Sequence, residues 1–134
     1  EQTDWFVNLQ TKFPDYVKYK GVVPFDKTTE VLKDYFLLLF PTKFYTEGIP
    51  GTIIDAYAAG VPVVATRWES FEDVILSCHV LGCDFGNVEY LINKLTIFSN
   101  KTNVINKIKE EVLKEAEKYQ PYKAIQIISK KLNN

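Results

Sequence analysis

Residues 40 to 66 constrain the fold of this chain more than any other stretch. They read Phe-Pro-Thr-Lys-Phe-Tyr-Thr-Glu-Gly-Ile-Pro-Gly-Thr-Ile-Ile-Asp-Ala-Tyr-Ala-Ala-Gly-Val-Pro-Val-Val-Ala-Thr. An apolar run enters a glycine-bearing turn, then an amphipathic helix, a glycine stop and a second apolar run. That order is a βαβ unit, and a helix that opens on such a turn is suited to an anion. Glu47 and Asp55, eight positions apart, stand at the two ends of that site.

The rest of the chain continues the alternation. Residues 4 to 12 read as a short helix with Trp5, Phe6 and Leu9 on one face. Tyr16 to Val23 is rich in β-formers and closes on Gly21 and Pro24, which predicts a strand. Asp26 or Thr28 can cap a helix that runs to Asp34. Tyr35 to Phe40 is continuously apolar, as a strand buried on both faces should be. Pro41 to Gly51 is loop, Thr52 to Ala59 helix, and Gly60 a C′ stop. Val61 to Thr66 is the next strand, with Pro62 tolerated at its start.

Ser70 to Leu76 reads as helix and Cys78 to Cys83 as a short strand. Asn87 caps a helix from Val88 to about Phe98. Asn103 opens another that carries Val104, Ile108, Val112 and Ala116. Pro121 breaks the helical run, and a last helix from Tyr122 to Leu132 carries Ile125, Ile128 and Leu132. Strands alternating with helices imply one α/β domain: a Rossmann-like, mostly parallel sheet covered by helices on both faces. Ligands of such folds bind beyond the carboxyl ends of the strands, where the Pro41–Gly51 loop lies.

Composition narrows the function classes. The chain has 134 residues, enough for one domain with a real core. Its net charge of -1 argues against a nucleic-acid partner, which would call for a basic face. The apolar run Phe36 to Phe40 is far short of the roughly 20 residues that a spanning helix needs. The absence of methionine and the opening Glu1-Gln2-Thr3 suggest a piece of a longer protein.

The chemistry of the turn follows from its residue types. A helix start offers backbone N–H groups without helical partners and a partial positive charge. Gly48 and Gly51 let a ligand approach the backbone, so the amides of Ile49, Gly51 and Thr52 can grip a diphosphate. Carboxylates accept paired hydrogen bonds from vicinal diols, the groups that riboses and sugars present. Asp55 lies about 5 Å along the axis from the helix start, within reach of a ribose attached to that diphosphate. Glu47 faces the other side, where a donor sugar would lie. The residues alone also allow a plainer reading. Glu47 can be a solvated loop acid gaining about 0.3–1 kcal/mol from the helix dipole, and Asp55 a solvated helix residue.

Thr46-Glu47-Gly48-Ile49-Pro50-Gly51-Thr52-Ile53-Ile54-Asp55-Ala56-Tyr57-Ala58-Ala59-Gly60-Val61-Pro62-Val63-Val64-Ala65-Thr66 resembles the signature of the group 1 retaining glycosyltransferases of GT-B fold. Tyr19 to Pro24 and Tyr35 to Pro41 resemble neighbouring segments of the same family. The resemblance implies the C-terminal, donor-binding half of a hexosyltransferase, with the acceptor-binding N-terminal domain outside this chain. It implies a nucleotide-diphosphate sugar as donor and a saccharide or lipid-linked acceptor. No cofactor or metal is expected, and the place of work is cytoplasmic or at the inner face of a membrane, in surface polysaccharide assembly.

By position, Glu47 is the catalytic-site acid on the donor sugar. Gly48, Ile49, Gly51 and Thr52 lie at the diphosphate, and Asp55 at the ribose. Three departures stand out. Asp55 replaces the usual glutamate. Arg67-Trp68-Glu69-Ser70 replaces a Gly-Gly pair. The early arginine and lysine that neutralise the diphosphate have no match. A sugar epimerase of the same fold and a non-catalytic Rossmann-like module are the rival readings.

Other residues read as structural. Cys78, His79 and Cys83 lack the second ligand pair of a zinc site. Arg67 is expected to pair with Glu69, and Trp68 to pack at the cleft edge. Lys107 to Glu115 is a solvated helix face with i,i+4 ion pairs.

Overall fold

The computed structural model describes residues 2–75 and 81–132. Helix α1 is Gln2–Gln10; a 3-10 turn at Phe25–Lys27 leads into α2, Thr28–Leu32. Strand β1 is Leu38–Phe40, α3 is Gly51–Ala58, β2 is Val63–Thr66 and α4 is Phe71–Val74. Strand β3, Leu81–Cys83, is followed by α5, Val88–Asn100, and α6, Thr102–Ala116. A second 3-10 turn at Glu117–Tyr119 precedes α7, Pro121–Leu132. The three strands form one parallel sheet in the order β1-β2-β3. This is the parallel α/β architecture expected from the alternation of elements.

Register sorts the side chains. Leu39 pairs with Val64, and Phe40 with Ala65 and then Gly82. Paired residues of parallel strands share a face, and the faces alternate along each strand. Phe71 of α4 closes over the Phe40–Ala65–Gly82 face, and Trp68 stacks edge-on between Phe40 and Phe71. A Cβ at Gly82 would sit 2.6 Å from Phe71 Cζ, so glycine admits this close approach of helix to strand. Leu91 of α5 approaches the other face beside Leu39, Val64 and Cys83. Helices therefore cover both faces.

The core joins α3 (Ile53, Ala56, Tyr57), β2 (Val63, Val64, Ala65) and α6 (Ile105, Ile108, Val112, Ala116). On α6 the buried stripe starts at Ile105. Val104, read from the sequence as part of that stripe, is exposed. The observed spacing of three, four and four follows the 3.6-residue turn more closely than a strict four-residue repeat. Asn87 caps α5 as expected, accepting from the Tyr90 amide at 3.1 Å.

Two strand predictions are corrected. Residues 14–24 contain no strand. Tyr16, Val17, Tyr19 and Val22 are exposed, and Tyr19 meets Phe6 of α1 in an edge-on ring contact at 5.0 Å. β-forming residues make a strand only where another strand supplies the ladder, and among the described residues none pairs here. The run from Tyr35 shrinks to Leu38–Phe40, with Leu39 46% exposed rather than buried. Among the described residues β1 has β2 on one side alone, so its ladder and cover are half complete. The Cys78–His79 part of the expected third strand lies outside the described residues; the helix read as reaching Leu76 ends at Val74, with Ile75 already extended. Along α7, Ile125, Ile128 and Leu132 are exposed. No helix among the described residues is long and apolar enough to cross a membrane.

The α3–β2 junction is fixed by Gly60. It has φ of 69°, its amide donates to Tyr57 O at 3.0 Å, and Val61 N donates to Ala56 O at 2.8 Å. These are the paired bonds of a Schellman stop. A Cβ here would lie 3.2 Å from Leu113 Cγ of α6. Gly60→Ala is expected to lower the unfolding free energy by about 1–2 kcal/mol, through left-handed strain and this contact. Denaturant melts followed by circular dichroism measure it; an unchanged midpoint would contradict the assignment.

Candidate functional site

The loop from Pro41 to Pro50 leaves the carboxyl end of β1 and delivers the chain to α3. Pro50 is buried, and its carbonyl accepts from Ile53 N at 3.0 Å and Ile54 N at 3.4 Å. That carbonyl starts the helix, while no side chain caps it. Gly51 and Thr52 form the first turn and are exposed, and Ile49 is 60% exposed. A Cβ at Gly48 or Gly51 would meet no atom within 4 Å, and neither glycine has positive φ. The backbone conformation therefore does not require these glycines. What they leave is open space beside the helix start.

The two acids stand at either end of this turn. Glu47 is half-buried before it, and Asp55 is half-buried in the second turn of α3. The Glu47 carboxylate accepts from Thr42 Oγ1 at 3.4 Å. Thr42 Oγ1 itself accepts from the Phe44 amide at 3.0 Å. The Thr42 carbonyl accepts from the hydroxyl of Thr66, the last residue of β2, at 2.5 Å. Glu69 N donates to Tyr45 O at 2.9 Å, which ties the same loop to the segment after β2.

A hollow of about 200 Å³ opens beside this loop at the carboxyl ends of the strands. Pro41, Thr66, Cys83, Asp84, Phe85 and Val88 line it. Lys43 Nζ lies 5.1 Å from the centre of the ring of Phe85, one of these lining residues. Sequence reasoning singled out none of Thr42, Thr66 and Lys43. Their signal was position alone, since each lies at or just beyond the carboxyl end of a strand.

The Arg67-Trp68-Glu69 segment differs in part from expectation. Arg67 pairs with Asp84 at 3.6 Å and Glu72 at 3.9 Å, not with Glu69. Arg67 N donates to Cys83 O at 2.9 Å, which sets Arg67 beside the end of β3, and its side chain reaches Glu72 at the start of α4. Both pairs are solvent-exposed and worth at most about 1 kcal/mol each. Trp68 is 3% exposed and packs as core between Phe40 and Phe71. Lys107 and Glu111 make the expected i,i+4 pair at 3.9 Å. No group of three or more His, Cys, Asp or Glu side chains suited to a metal occurs among the described residues.

Cys83 is buried at the foot of the hollow, its thiol facing Ala65 O at 3.6 Å. Burial pushes the thiol above its ordinary pKa of 9.0, Asp84 adds to the shift and Arg67 opposes it. The folded protein thus holds this proton more tightly than the unfolded chain. Its contribution to stability is complete below about pH 9 and is lost as pH rises through the folded value. In a Cys78→Ser background, urea melts should lose stability as pH rises above about 9, with less loss in Cys83→Ala. Equal losses would exclude Cys83 as a source.

The family model for glycosyl transferases group 1 matches residues 1–98. No curated protein and no solved structure matches the chain. The family match spans the loop, both acids, the three strands and most of α5. By that match the chain belongs to the group 1 glycosyl transferases.

Proposed function

We propose that this chain is the donor-binding domain of a retaining, GT-B-type hexosyltransferase. It takes a nucleotide-diphosphate sugar, and the acceptor is a saccharide or lipid-linked saccharide held by a further domain. Glu47 accepts hydrogen bonds from the donor sugar's hydroxyls, and Asp55 does so from the ribose. The amides around Gly48, Ile49, Gly51 and Thr52 meet the diphosphate, where the positive end of α3 offsets its charge. Surface polysaccharide assembly on the cytoplasmic side of a membrane is the setting we assign, and the reaction needs no metal.

The observation that carries this reading is the uncapped, solvent-open start of α3, flanked by two half-buried acids beyond the carboxyl end of a parallel sheet. A helix start of this kind favours anions, while the acids favour hydroxyl groups. A ligand that is anionic in the middle and rich in diols at both ends satisfies both demands. Asp55 is one methylene shorter than glutamate and stands in the second turn of α3, four residues after Gly51 and so on the same helix face.

Titration of the labelled protein with uridine and guanosine diphosphates, and with their hexose conjugates, tests the assignment by NMR. Shifts should cluster at residues 47–55. Asp55→Ala should weaken nucleoside diphosphate binding about tenfold, the worth of a charge-assisted contact pair. Glu47→Ala should spare the nucleoside diphosphate and remove the extra affinity given by the sugar. Absence of shifts at millimolar nucleotide would leave a non-catalytic module as the better description.

A further inference from the structure

The carboxylate of Glu47 is not held by the turn that follows it. Its support comes from the other end of the loop. Thr66 is 4% exposed at the end of β2, and its hydroxyl donates to the Thr42 carbonyl. That bond joins residues 24 apart in sequence and fixes the first loop residues over the sheet. Thr42 N also donates to Phe40 O at 3.0 Å, so the chain turns tightly as it leaves β1. The Thr42 hydroxyl then accepts from Phe44 N at 3.0 Å. A hydroxyl carries one hydrogen, and with the oxygen already accepting, that hydrogen is left for Glu47 Oε1 at 3.4 Å.

We propose that Thr42 is a positioning residue for Glu47 and that Thr66 sets Thr42 in turn. The proposal rests on the reading of Glu47 as the acceptor of donor-sugar hydroxyls. A glutamate on an exposed loop samples many rotamers, and ordering it on binding costs affinity. A hydroxyl bond to Oε1 selects one arrangement beforehand and leaves Oε2 to the ligand. The distance is long for an O–H···O bond, so the effect is that of one modest hydrogen bond. The anchor is stiff, because Thr66 belongs to the fully buried β2 and not to the loop.

Side-chain scalar couplings of Glu47 in the ligand-free protein supply the direct readout. The wild type and Thr42→Ser should show one dominant rotamer, and Thr42→Val an averaged set. Thr66→Val should average it as well, and Thr66→Ser should not. In donor titrations Thr42→Val should lose about fivefold in affinity for the nucleotide sugar, with nucleoside diphosphate binding unchanged and Thr42→Ser restoring the loss.

Backbone amide shifts of β2 report whether each variant is folded. A general structural role would weaken both ligands alike. An unaltered Glu47 rotamer in Thr42→Val overturns the positioning. Unaltered sugar-dependent affinity in Glu47→Ala overturns the assignment beneath it, and the couplings tell the two failures apart.

Discussion

The burial of β2 is the constraint on which the rest of the structure depends. Every residue from Val63 to Thr66 is buried, and it is the strand with a partner on each side. Its amides and carbonyls cannot turn to water, so they must be matched by β1 and β3. Once they are, the loops that leave these strands emerge along one edge of the sheet. Gly60 sets where β2 starts and Thr66 where it ends. The segment that follows β2 then returns across the sheet through Trp68 and Phe71, whose rings cover Phe40 and Gly82.

That edge combines two kinds of support. The acid-bearing loop is tied at Thr42 and at Tyr45 to residues of β2 and the chain beyond it. The start of α3, by contrast, is open and is shaped by a buried proline carbonyl instead of a capping side chain. A stiff wall beside an unfilled set of donors is an arrangement that can bind without large reordering. Arg67 does not add free positive charge there, because Asp84 and Glu72 already pair with it. Lys43 instead holds its charge over the ring of Phe85, which lines the hollow.

The βαβ unit was legible because its signals are local. The apolar runs, the stop at Gly60 and the spacing of Ile53 and Tyr57 each act within a few residues. The expected strand at Tyr16–Val23 shows the opposite case. Its composition suits a sheet, yet a strand is a property of two segments, and here the second is missing among the described residues. The same reasoning explains β1, where Leu39 has the composition of a buried strand and the exposure of an edge. Helix α7 was found by its period and its proline, but period could not say that its apolar residues lie open. Of the site, both acids and the glycine turn could be read in the chain, and the threonines that support Glu47 could not.

By itself the sequence determined the strand–turn–helix–strand order around α3, the stop at Gly60, the cap of α5 at Asn87 and which turn carries the acids. These follow from steric limits on glycine and proline and from periodicity, forces that operate over one or two turns. Tertiary structure decided which partners those residues meet. Thr66 reaches Thr42, Arg67 chooses Asp84 over its neighbour Glu69, and Phe71 settles on Gly82. Each of these contacts depends on how neighbouring strands align and how the chain reverses after β2. No local rule contains that alignment, since it is fixed only when the buried backbone of β2 finds its two neighbours.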